Sequence, residues 1–106
     1  MSLSFRQWSL VGFLMMGLTS CVVAPLPIEE YTLARAAVSS ARDSGAERLA
    51  PGLWYKAEEN YRRGQKFLKD KDNESAKTSF LRAIDFSEKA ENASRLKKYE
   101  SGESFQ

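Results

Sequence analysis

The chain has 106 residues, with 16 Lys and Arg against 14 Asp and Glu for a formal net charge of +2, no histidine, and a single cysteine, Cys21. This composition excludes an intrachain disulfide, argues against the Cys/His ligand sets of structural zinc, and offers no basic stripe for nucleic acid, because the two signs are interspersed. A domain of this size buries only about 60% of the surface of its unfolded chain, so support from a membrane, a partner chain or a second copy is expected.

The first seven residues, MSLSFRQ, carry the amino terminus and Arg6, and WSLVGFLMMGL (residues 8–18) is an uninterrupted run of apolar and small residues. That is the n-region and h-region order of a signal peptide. At about a dozen residues the run falls short of the roughly 20 that span a bilayer as a helix. It ends in Leu18, Thr19, Ser20 and Cys21, an aliphatic residue, two small ones and a cysteine, which resembles the lipobox of bacterial lipoproteins. The resemblance implies that residues 1–20 are removed and that Cys21 becomes the acylated first residue. Its covalent lipid would be the chain's only attached group, with no cofactor and no metal. A thiol suits the reaction because its thiolate is a strong nucleophile near neutral pH. In Gram-negative lipoproteins an Asp after the cysteine often marks retention at the inner membrane. Val22 stands there instead, which by the same resemblance implies the periplasmic leaflet of the outer membrane. Two other readings of the leader stay open: an uncleaved anchor, and an ordinary secretory signal that leaves a free thiol.

Residues 21–27 end in VVAPLP, where Pro25 and Pro27 favour an extended spacer that holds the next element off the lipid. From Ile28 the apolar spacing becomes helical. Tyr31, Ala34, Val38, Ala41 and Gly45 recur at three and four, predicting a helix over 28–43, with Glu29 and Glu30 where a helix N-terminus favours negative charge. The stretch DSGAERLAPG reads as a break, with Gly45 as a C-terminal cap. Pro51 opens a second helix over 51–69, in which Trp54, Ala57, Tyr61, Gly64 and Leu68 share a face with Phe67 beside them. After the turn KDKDN, a third helix over 73–98 is capped by Asp72 or Asn73 and carries Ala76, Phe80, Ala83, Ser87, Ala90 and Ser94, with Ile84 broadening the stripe. Residues 99–106 show no periodicity and read as a disordered tail. The fold expected for 28–98 is therefore all-α, three helices in antiparallel order.

Gly64, Phe67, Ala76, Phe80 and Ala83 stand at the offsets G-x2-[YF] and A-x3-F-x2-A, and this hairpin resembles a tetratricopeptide repeat. Arg63 stands where that pattern has leucine, Asn60 where it has an aromatic and Glu88 where it has proline, so a generic antiparallel helix pair is the competing reading. Lipobox, tether, alanine-rich first helix and hairpin together resemble a family of small bacterial envelope lipoproteins with a helical domain of unknown function. Relatives of that domain also occur joined to peptidoglycan-binding domains of the OmpA type. Residues 28–98 contain no such domain, so wall binding does not carry over.

Chemistry-bearing constellations are scarce. Glu58 with Arg62 and Glu59 with Arg63 are i,i+4 pairs that read as a solvated helix face. Asp70, Asp72 and Glu74 alternate like a calcium loop, but Ser75 replaces the turn glycine and Leu81 the bidentate glutamate. No enzymatic activity is expected. Adjacent Trp54 and Tyr55 cannot both enter one narrow core stripe, so one of them faces outward. With Arg62, Arg63 and Lys66 they form the candidate partner-contact face. The function expected is a membrane-anchored, non-enzymatic helical adaptor or scaffold for another envelope protein, the alternative being a structural homo-oligomer, with neither binding nucleic acid.

Overall fold

The computed structural model describes residues 24–102. The leader, the Leu18, Thr19, Ser20 and Cys21 motif, and residues 103–106 of the expected tail lie outside them. The described residues form four helices: α1 (Ile28–Asp43), the single turn α2 (Ala46–Leu49), α3 (Pro51–Lys69) and α4 (Asn73–Glu100). No strand occurs among them, and the all-α expectation holds. Helix α1 lies beside the start of α4, with the Glu30 carboxylate 3.4 Å from Lys77 Nζ, and its end reaches α3, where Arg42 is 3.9 Å from Glu58. The three long helices thus run up, down and up.

The expected break between the first two long helices contains a helical turn of its own. Gly45 has φ +84°, a left-handed conformation that glycine adopts without a Cβ penalty. That kink ends α1 by Gly45 N–H donating to Arg42 O at 2.9 Å, and the Gly45 carbonyl then accepts from Arg48 and Leu49 to start α2. Ala46 is fully buried, which ties this turn to the core. Helix α4 also runs two residues past the expected Lys98, so Tyr99 and Glu100 belong to it and not to a tail. The stop is Gly102, at φ +71°, whose N–H donates to Tyr99 O while Ser101 N–H donates to Lys97 O. Lys97 and Lys98 complement the negative end of the helix.

Alanine, serine and glycine line the helix contacts, and a few aromatics fill the remaining space. Phe80 is the largest fully buried side chain, and its ring lies directly on the backbone of Gly64. A Cβ at residue 64 would stand 2.5 Å from Phe80 Cε1 and 2.6 Å from Cδ1, far inside van der Waals contact. Tyr31 from α1 meets the same ring edge-on at 5.3 Å, and Tyr61 closes the triad at 6.0 Å from Phe80 and 6.1 Å from Tyr31, separations at which aromatic pairs attract beyond their area burial. Tyr61 also joins this lower cluster to an upper one of Val38, Ala41, Ala46, Ala50, Trp54 and Ala90.

The segment ahead of α1 departs from the extended spacer expected of it. Asn73 Nδ2 donates to Ala24 O at 2.9 Å, Pro27 is buried, and Ile28 N–H closes a tight turn onto Leu26 O at 2.9 Å. Residues 24–27 therefore lie against the start of α4. Two prolines favour an extended backbone but do not prevent it from packing when a side-chain amide at the right place takes a free carbonyl.

Gly64→Ala is expected to destabilise the protein by about 1–3 kcal/mol, the usual cost of overpacking. Gly52→Ala, in the same helix but with nothing within 4 Å of a new Cβ, is expected to be neutral or to stabilise by up to about 1 kcal/mol. Thermal melts of the two variants check the opposite signs.

Candidate functional site

The pairing of Gly64 with Phe80 fixes which side chains of α3 and α4 flank each other. On one flank of this helix pair sits α1, held by Ala34, Tyr31 and Val38. The other flank is open. There Arg63, Lys66, Phe67 and Asp70 of α3 face Ser79 and Arg82 of α4 across a groove of ≈ 390 Å³. Further along the same flank, the half-buried ring of Phe86 is bracketed by Lys56 Nζ at 5.5 Å and Lys89 Nζ at 5.7 Å, within cation–π range.

The sequence-predicted contact residues divide among three environments. Trp54 is 6% exposed and belongs to the upper core, with the Arg42 guanidinium 5.5 Å from its ring centroid; it is not part of a contact face. Tyr55, 63% exposed, is the outward member of the pair, and Arg62, seven positions on, shares its outer line of α3. Arg63 and Lys66 line the groove. Arg62 pairs with Glu58 at 3.0 Å and Arg63 with Glu59 at 2.8 Å, exposed i,i+4 pairs of a type that contributes about 0.2–0.5 kcal/mol each. Lys66 has no ion pair among the described residues, and neither has Arg82.

Sequence reasoning missed Arg82, Ser79 and the Lys56, Phe86 and Lys89 sandwich. Ser79, Arg82, Phe86 and Lys89 lie on α4 and Lys56, Arg63 and Lys66 on α3, and only the α3–α4 register brings the two sets together. The signal was the Gly64 and Phe80 offset itself: setting those two opposite each other in an antiparallel pair places residues whose numbers sum to about 144 at the same height.

Residues 29–102 match a family described as a domain of unknown function, DUF4398. The chain belongs to the DUF4398 family. No curated protein and no solved structure matches it. The matched stretch takes in the four helices of the DUF4398 domain from the second residue of α1 onward, and with them every residue of the open flank.

Two groups in the DUF4398 domain titrate away from their ordinary values. Burial raises the Tyr61 hydroxyl, the hydrogen bond and charge of Tyr31 add to the rise, and Arg35 opposes it. Asp72 is lowered by the hydrogen bonds it takes from Ser75, whose N–H lies 3.1 Å from Asp72 Oδ1 in an N-cap of α4. That carboxylate is therefore engaged by the helix end, and no group of three or more His, Cys, Asp or Glu side chains able to hold a metal occurs among the described residues.

Because the folded-state pKa of Asp72 is depressed, its contribution is present above the unfolded value of about 3.9 and is lost as pH falls through the folded one. Melting curves from pH 6 to pH 2.5 are expected to show Asp72→Asn, which can still accept the bond, losing less stability on acidification than the parent. Asp72→Ala is expected to melt lower than both at pH 6.

Proposed function

We propose that this chain is a lipoprotein, acylated on Cys21 after removal of residues 1–20, and that its helical domain is a non-enzymatic adaptor or scaffold for another envelope protein at the periplasmic leaflet of the outer membrane. The observation that carries the adaptor reading is the open flank of α3 and α4, where cations without ion pairs stand beside half-buried aromatics. Arginine and aromatic side chains dominate the energetics of protein interfaces. Anchoring is supported by the order of the leader and by the Leu18, Thr19, Ser20, Cys21 sequence. No helix among the described residues is long and apolar enough to cross a membrane, so in this reading the acyl chains hold the protein at the surface.

Docking of residues 24–27 adds a geometric consequence. Only three peptide links separate Cys21 from the clamped carbonyl of Ala24, a reach of about 10 Å. The α3–α4 turn is then held at the lipid surface with the open flank beside it. Confinement to a surface raises the effective concentration of a weak binder, so a groove of this size suffices. We also read the α3–α4 hairpin as tetratricopeptide-like, on the strength of the small residues at Gly64, Ala76 and Ala83 about Phe80, and the whole as one of the small bacterial envelope lipoproteins. A structural homo-oligomer is the second reading, favoured by the exposure of Leu81, Leu96 and Tyr99 along α4.

In cells fed a fatty-acid analogue, the protein is expected to take up label and Cys21→Ala to take up none; label persisting in the variant sinks the anchor. Crosslinking of the tagged protein, followed by detergent capture and mass spectrometry, is expected to recover one envelope protein in near-stoichiometric amount, lost in Cys21→Ala. Recovery of only its own dimers or trimers replaces the adaptor by the homo-oligomer.

A further inference from the structure

The open flank has a charge pattern that narrows what it can bind. Its groove presents Arg63, Lys66 and Arg82 around Phe67 and Ser79, against one acid, Asp70, on the rim. The Lys66 ammonium and Arg82 guanidinium are unpaired among the described residues. The Arg63 and Glu59 pair is exposed, and such a pair costs little to exchange for another carboxylate. Beyond the groove, Lys56 and Lys89 bracket Phe86, with Asp85 paired to Lys89 at 2.8 Å. Cations therefore outnumber acids along the whole flank, and the apolar surface lies between them in two places.

Those two places are spaced for an extended chain. With residue 64 opposite residue 80, Phe86 lies level with residue 58, nine positions from Phe67, or about 13.5 Å along the helix axis. Four or five residues of extended polypeptide cover that distance. A guanidinium fork takes a carboxylate in bidentate fashion, and Phe67 and Phe86 offer apolar contacts between the cationic points. The groove opens sideways from the bundle, whereas the clamped segment 24–27 emerges at its end, so a lipid headgroup plane at that end meets the α3–α4 turn before it meets the groove.

We propose that the α3–α4 flank bounded by Arg63, Lys66, Arg82 and Lys56 is the docking groove for a short acidic segment of a partner protein, its carboxylates on Lys66 and Arg82 and its apolar side chains on Phe67 and Phe86. This rests on the adaptor reading and names the contact surface and the chemistry of the partner.

The test places a photo-crosslinking amino acid at Thr78, an exposed position on the wall next to the groove, in the full lipidated chain in cells, with Leu33 on the exposed side of α1 as control position. The adduct from Thr78 is expected to map to a partner stretch with several Asp or Glu within about six residues. Its yield is expected to fall at least tenfold in Lys66→Glu with Arg82→Glu, while the circular dichroism of that variant stays helical and the Leu33 control is unchanged. An adduct to phospholipid, an adduct to a second copy of this chain, or a yield indifferent to the two charge reversals each overturns the groove. Absence of any Thr78 adduct also overturns it. In that last case, a partner still captured by general crosslinking and lost in Cys21→Ala leaves the adaptor reading standing with its contact elsewhere.

Discussion

The fold turns on one contact, the ring of Phe80 lying on the bare backbone of Gly64. It sets how closely α3 and α4 approach and at what register, since the ring of the largest fully buried side chain occupies the space where any Cβ at residue 64 would stand. Tyr31 then packs edge-on against the same ring, which seats α1 on one flank and leaves the other open. The groove is thus a consequence of core packing: Arg63 and Arg82 are neighbours because Gly64 and Phe80 are.

The sequence made much of this legible, because burial here is by small residues at strict helical spacing. The stripe Ala76, Phe80, Ala83, Ser87, Ala90 and Ser94 is buried at every position, and the periodic runs over 28–43 and 51–69 coincide with α1 and α3. What was missed has local causes. The turn α2 lies between a left-handed glycine and a proline, and a four-residue helix has no periodicity to detect. Gly102 ends α4 by its own left-handed conformation, whereas its neighbours Ser101 and Glu103 suggest only a polar tail. Adjacency alone splits Trp54 and Tyr55 into one inward and one outward side chain, as their 6% and 63% exposures bear out. Which was which depended on where α1 crosses α3, with Arg42 covering the indole, and one helix's periodicity does not contain that. The groove was half legible, through Arg63 and Lys66. Its other half needed the register.

A thin core of alanines also bears on the proposed function. Alanine buries little apolar area for each residue, so the larger contacts that hold α1 are few, chiefly Tyr31 on Tyr61 and Phe80, and Val38 in the upper cluster, and its exposed ion pairs to Lys77 and Glu58 add little. On the adaptor reading, attachment at both ends of this arrangement is useful: acyl chains at Cys21 restrain the start of α1, and a partner on the open flank clamps α3 to α4. Lys97 adds a third restraint by donating to the Leu49 carbonyl, tying the end of α2 to the end of α4. Stability and binding are then linked, because whatever occupies the native flank favours the folded chain by mass action.

The measurement that tests this account most directly is a double-mutant cycle on Gly64→Ala and Phe80→Leu, read by equilibrium unfolding of the full chain. If the ring seated on the glycine sets the register, the smaller leucine relieves the clash with the new methyl group. The double variant is then predicted to lose less stability than the sum of the two single losses, by about 1 kcal/mol or more, the range seen for residues in direct contact. Strict additivity would contradict the account, showing that α3 and α4 find their register without this contact and that the open flank owes its geometry to something else.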